Sequence, residues 1–141
     1  MKLADWSLHV YRLPYTREVV WANAVEKSGL YALLKLTSDD GATGIAEGTL
    51  KDTWSGVSPK SLAAVLEDIL LPKLKQLDLA DNKAASAAFA GIPENRMANG
   101  IVESACWLMR AAATGKPLWK LWGTSGSVAV AWTVTRQAPA L

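Results

Sequence analysis

The stretch Gly100–Gly123, GIVESACWLMRAAATGKPLWKLWG, constrains the fold more than any other part of this chain. Ile101, Ala105, Leu108, Met109 and Ala112 recur at helical spacing, and Val102, Cys106 and Ala113 widen the stripe. An apolar face this broad predicts a helix buried on more than one side. Gly115 suits the left-handed position that ends a helix. Pro117 suits the first position of a short second helix carrying Leu118, Leu121 and Trp122, with Gly123 ending it.

The surface such a helix packs against is written earlier in the chain. Ala4–Leu13 alternates, with Trp6, Leu8 and Val10 on one face and Ser7, His9 and Tyr11 on the other, which predicts a half-buried strand ending at Pro14. Leu30–Thr37 alternates again, with Leu30, Ala32, Leu34 and Leu36 on one side. Asp40-Gly41 is a strong hairpin turn, and Ala42–Thr49 is the returning strand. Between the first two strands, Tyr15–Ser28 carries Val19, Val20, Trp21 and Ala22 without a clear period, so it reads as a long loop or the start of a second strand. Leu50–Val57 is a second loop, with Thr53 and Trp54 at its tip.

Helices come next. Ser58 caps one with Pro59 at its first position, and Leu62, Val65, Leu66, Ile69 and Leu70 fit its apolar stripe. Pro72 is expected to stop or kink it at Leu71. Asp81 caps a short alanine-rich helix running to Ala90, closed by Gly91. The long helix begins near Asn95–Ala98. Three strands and then three or four helices predict an α+β domain, an antiparallel meander with a helix bundle on the face bearing Leu30, Ala32 and Leu34. Ser127–Thr135, apolar on both faces, reads as one trailing strand without a partner. The expected division is 1–125 for the domain and 126–141 for the trailing segment. An unpaired apolar edge invites a second copy, so a homo-oligomer is expected.

Several function classes fall away. The fifteen Lys and Arg are scattered through a chain of net charge +2, with no basic block, which speaks against nucleic-acid binding. No apolar run reaches membrane-spanning length and the N-terminus lacks signal-peptide character, so a cytoplasmic protein without membrane contact is expected. The single Cys106 lies on the helix stripe and reads as a small core residue rather than a nucleophile. His9 reads as a solvated residue on a polar strand face, and Glu47 as structural. Glu67, Asp68 and Asp78 show no ligand spacing. No catalytic residue, metal ligand or cofactor of its own is expected in this chain.

The words Ala105-Cys106-Trp107, then Gly115-Lys116-Pro117-Leu118-Trp119-Lys120-Leu121-Trp122-Gly123, then the strand with Val130-Ala131-Trp132-Thr133, resemble the end of the N-terminal domain in the mandelate racemase/muconate lactonizing enzyme family of the enolase superfamily. Leu108 and Trp122 depart from the family's usual Asp and Leu at those places. The resemblance implies an enolase N-terminal domain-like fold that caps a (β/α) barrel. In the family, the barrel holds Mg²⁺ and the bases that remove a proton beside a carboxylate. A whole barrel needs about 250 residues, so residues 126–141 would only begin one, and the chain alone is expected to be inactive.

The resemblance further implies that the two loops reach over the barrel mouth and line the substrate pocket. Val19, Val20, Trp21, Ala22, Thr53 and Trp54 are the candidates for that lining. The alternative for both tryptophans is plain packing onto the sheet. A second reading of the whole chain is a stand-alone α+β binding or interaction module. On the first reading the partners are the barrel of the same protein, further copies and a small carboxylate substrate.

Overall fold

The computed structural model describes residues 1–22 and 24–131 of the 141. Strands β1 (Leu3–Val20), β2 (Val25–Ser38) and β3 (Thr43–Leu50) form one antiparallel sheet in the order β1-β2-β3. Among the described residues six helices come after them: α1 (Asp52–Ser55), α2 (Pro59–Val65), α3 (Leu71–Gln76), α4 (Asn82–Ala90), α5 (Arg96–Thr114) and α6 (Leu118–Leu121). A π-helical turn, Leu66–Leu70, joins α2 to α3. This is the expected meander with its helices after it.

Register arises from alternation. Leu8 stands opposite Leu34, and Leu34 opposite Ala46, so one row of apolar side chains crosses all three strands. Ala32, Leu34 and Leu36 are fully buried on the helix-bearing face. Leu62, Leu66, Leu70, Leu71, Leu74, Val102, Ala105, Cys106 and Met109 meet them from the helices. Burying a leucine of this kind stabilises by about 1.5–3 kcal/mol each before entropy is counted. Gly44 and Gly48, on the same face of β3, leave room for α5 to lie directly on the strand.

Three expectations are corrected. Tyr15–Ser28, expected as a long loop or the start of a second strand, is mostly strand: β1 continues past Pro14 to Val20, and Val19 and Val20 pair with Glu26 and Val25. Pro14 is tolerated because β1 is an edge strand, where a missing donor costs no ladder bond, and the register shifts between Pro14 and Val19. Pro72, expected to stop or kink its helix at Leu71, does not stop it. In the π turn Leu71 N–H bonds back to Leu66 O, and this wider turn seats the proline at the start of α3. Gly91 closes α4 after Ala90 as expected, at φ −81°. On α5, Leu108, Ala112 and Ala113 face outward, so only one side of the stripe is covered.

Other local signals are met. Ser58 caps α2 in a reciprocal box with Ser61. Asp81 accepts from the N–H groups of Lys83 and Ala84. Gly115 ends α5 at φ 63°. Pro117 stands one position earlier than expected, at the N-cap of α6. Ser58→Ala removes the bond that the Ser58 hydroxyl accepts from Ser61 N–H, leaves the Ser58 N–H donating to Ser61 Oγ, and is expected to cost about 1 kcal/mol in urea unfolding. Of the trailing strand, Ser127–Ala131 is described and has no regular structure, with Val128 and Val130 exposed. Its remainder, from residue 132, lies outside the described residues.

Candidate functional site

One end of the sheet gathers the candidates. The β1–β2 hairpin places Trp21 at its tip, where Trp21 N–H donates to Ala24 O at 2.8 Å. The chain leaving β3 turns through the single-turn α1, which closes on left-handed Gly56 and carries Thr53 and Trp54. These two segments lie far apart in sequence, yet their tryptophans meet edge to face with ring centroids 5.5 Å apart. That is the favoured geometry for an aromatic pair. The tryptophans pack on each other rather than under the helix layer, and Trp54 remains 72% exposed. Val20 and Ala22 are exposed beside Trp21, and Val19 is half-buried.

Lys51 completes the cluster. Its Nζ lies 4.4 Å from the Trp21 ring centre and 4.0 Å from that of Trp54. The same ammonium donates to Glu26 Oε1 at 2.8 Å. Hydrogen bonding from Lys51, then from Trp21, holds the Glu26 carboxyl below its ordinary range. Beside the cluster opens a cleft of about 340 Å³, lined among others by Arg12, Tyr15, Glu26, Ser28, Lys51 and Thr53. That volume is at the lower end for small-molecule sites. Two of these lining residues are joined, Arg12 Nη1 donating to Ser28 Oγ at 3.2 Å.

Elsewhere the chemistry is sparse. Burial pushes the Cys106 thiol up to about 11, so it stays protonated and unreactive at neutral pH. On the open face of the sheet Tyr11 stacks on Tyr31 and donates to Glu47, a bond that raises the Tyr11 phenol above its ordinary value. Among the described residues, no group of three or more His, Cys, Asp or Glu converges as a metal site would require. No helix among them is long and apolar enough to cross a membrane.

Sequence reasoning named both tryptophans but missed Lys51 and Glu26. The only available signal was the placement of Lys51 three residues before Trp54. A cation between two rings is a matter of distance, and no sequence period encodes it.

A three-stranded antiparallel meander followed by helices, bearing an exposed aromatic cluster at one end, defines an α+β domain. Residues 9–123 match the model of the mandelate racemase/muconate lactonizing enzyme N-terminal domain. The chain therefore belongs to the mandelate racemase/muconate lactonizing enzyme family of the enolase superfamily, and covers its N-terminal domain. It is 26% identical over 125 residues to an N-succinylamino acid racemase of Thermus thermophilus, a match covering 87% of this chain and 34% of that protein. The fold is similar to a muconate lactonizing enzyme of Pseudomonas fluorescens complexed with muconolactone, with TM-score 0.80 and 23% identity over 87% of this chain and 34% of that one. It is also similar to a dipeptide epimerase of Enterococcus faecalis complexed with Mg and L-Leu-L-Tyr, with TM-score 0.74 and 16% identity over 86% and 34%. The chain thus spans about a third of the length of these proteins.

Proposed function

We propose that this chain is the substrate-capping domain of a racemase or lactonizing-type enzyme that abstracts a proton beside a carboxylate. The carrying observation is the meeting of Trp21 and Trp54, from two separate segments, as one exposed apolar surface at the end of the sheet. Single exposed tryptophans are ordinary, but a joined pair beside a cleft offers a surface for a small molecule or a second domain. Val19, Val20, Ala22 and Thr53 border it and would complete the lining.

Among the described residues no group suits a metal ion; on this reading Mg²⁺ and the proton-transferring groups belong to a barrel that the domain covers. The domain's own contribution is exclusion of water. Covering the mouth lowers the local dielectric, which strengthens every charge–charge interaction at the reacting centre. The rings would also fix the apolar part of the substrate, and this sets specificity rather than rate.

Grafting residues 1–125 onto the barrel of the Thermus racemase tests the reading. The chimera is expected to exchange the α-proton of N-succinylamino acids, and Trp54→Ala in it should raise KM about tenfold or more while kcat changes less. The isolated chain should show no exchange. Exchange catalysed by the isolated chain would overturn the reading. So would a Trp54→Ala chimera with unchanged KM for every substrate accepted, which would leave the chain as a stand-alone interaction module.

A further inference from the structure

The rings of Trp21 and Trp54 do not hold each other by themselves. An exposed edge-to-face pair contributes about 0.5–1.5 kcal/mol, too little to fix two separate segments in one arrangement. Lys51 adds the missing contacts. Its backbone leads from β3 into α1, while its ammonium reaches both rings and Glu26 on β2. The side chains of Lys51 and Glu26 are only 18% and 26% exposed, so screening by salt is partial. Four residues thus tie the hairpin tip to the α1 turn.

We infer that Lys51, with Glu26, is the positioning residue of this surface: its ammonium locks Trp21 and Trp54 together, so that the two capping segments act as one body. The inference rests on the capping reading for its purpose, but not for its physics.

A cation between aromatic faces also resembles a site for a cationic ligand, with Lys51 as a mere placeholder. Magnitudes argue against that. A group tethered by a short flexible stem competes at an effective concentration in the millimolar range. An exposed cation–π contact gives a free cation only about 0.5–1 kcal/mol. The tethered ammonium therefore keeps its place. Nor is the charge alone sufficient to hold the cluster, since Lys51 must also remain paired to stay partly buried. Glu26 supplies that pairing and fixes the direction from which the ammonium meets the rings.

The test uses the 141-residue chain and nuclear Overhauser contacts between the indoles of Trp21 and Trp54. Lys51→Met keeps the length of the stem and removes the charge; it is expected to weaken these contacts about tenfold, as the closed arrangement loses the ion pair and both cation–π contacts. Lys51→Arg is expected to retain them, because guanidinium also lies on aromatic faces and pairs with carboxylate. Thermal midpoints should stay close to that of the unaltered chain in both variants, since the cluster lies outside the core. Undiminished contacts in Lys51→Met would overturn the inference, and so would equal loss in Lys51→Met and Lys51→Arg. Should Lys51→Met fail to fold, Glu26→Gln decides by the same readout: persistence of the contacts counts against the lock, and loss of them supports it. These contacts are read without any barrel, so a failed chimera and a failed lock are separate results.

Discussion

Gly44→Ala is expected to destabilise the domain by about 3 kcal/mol or more, and Gly44→Val to prevent folding. A Cβ built on Gly44 would stand 1.9 Å from the carbonyl oxygen of Ala105 and 2.6 Å from the backbone nitrogen of Met109. Both atoms belong to the backbone of α5, which cannot swing aside as a side chain can. The helix would have to lift off β3, opening gaps around Ala46, Val102 and Met109, which are buried at that contact. Gly48, further along the same strand, provides the control. Its Cβ would meet the Met97 Cε at 2.4 Å, but that methyl ends a flexible side chain. Gly48→Ala is therefore expected to cost far less than Gly44→Ala. Urea unfolding of the two variants side by side checks the ordering, and equal losses would mean that α5 is not held against Gly44.

That contact also shows where reading the sequence reached its limit. The strand alternation around Leu34 and the Asp40-Gly41 turn are local, and both strands and turn form as expected. The caps at Ser58 and Asp81 and the left-handed Gly115 are equally local, and they too were legible. Gly44 sits in an alternating strand where nothing marks it as the seat of a helix. Its role depends on which face α5 lays down, and that is decided by packing. Pro14 and Pro72 misled for the opposite reason. Each is a strong local breaker, but an edge position and a π turn absorb the missing donor. At the candidate site, the apolar tips at Trp21 and Trp54 were legible as unusual. Their meeting, and the cation that Lys51 places against both, depend on the extended hairpin that Pro14 concealed.

Arg110 carries the other large expected effect. It lies on α5 and is only 6% exposed, with no carboxylate paired to it among the described residues. Its Nε donates to Leu79 O at 2.5 Å and its Nη1 to Asn82 Oδ1 at 2.8 Å, tying α5 to the turn before α4. The guanidinium also lies 5.1 Å from the Trp107 ring centre, and Trp107 in turn packs edge to face on Trp122 near α6. Two effects oppose. Burial disfavours the charged form and lowers the pKa of Arg110, only partly countered by Cys106 and Asp81, and its Nη2 has no hydrogen-bond partner among the described residues. Against this stand two charge-assisted bonds, each worth about 1.5–3 kcal/mol. The bonds should win, because deleting the side chain also strands Leu79 O and opens a cavity beside the cleft that Trp107 and Leu121 line. Arg110→Ala is expected to cost about 3 kcal/mol. Arg110→Met, which fills the space and no longer buries a charge, should cost about 1–2 kcal/mol. Arg110→Lys keeps the charge but lacks the planar fork that serves both acceptors, and should fall between them. Chemical unfolding of the three variants measures the balance. A methionine variant more stable than the unaltered chain would show that desolvation of the guanidinium outweighs the bonds it makes.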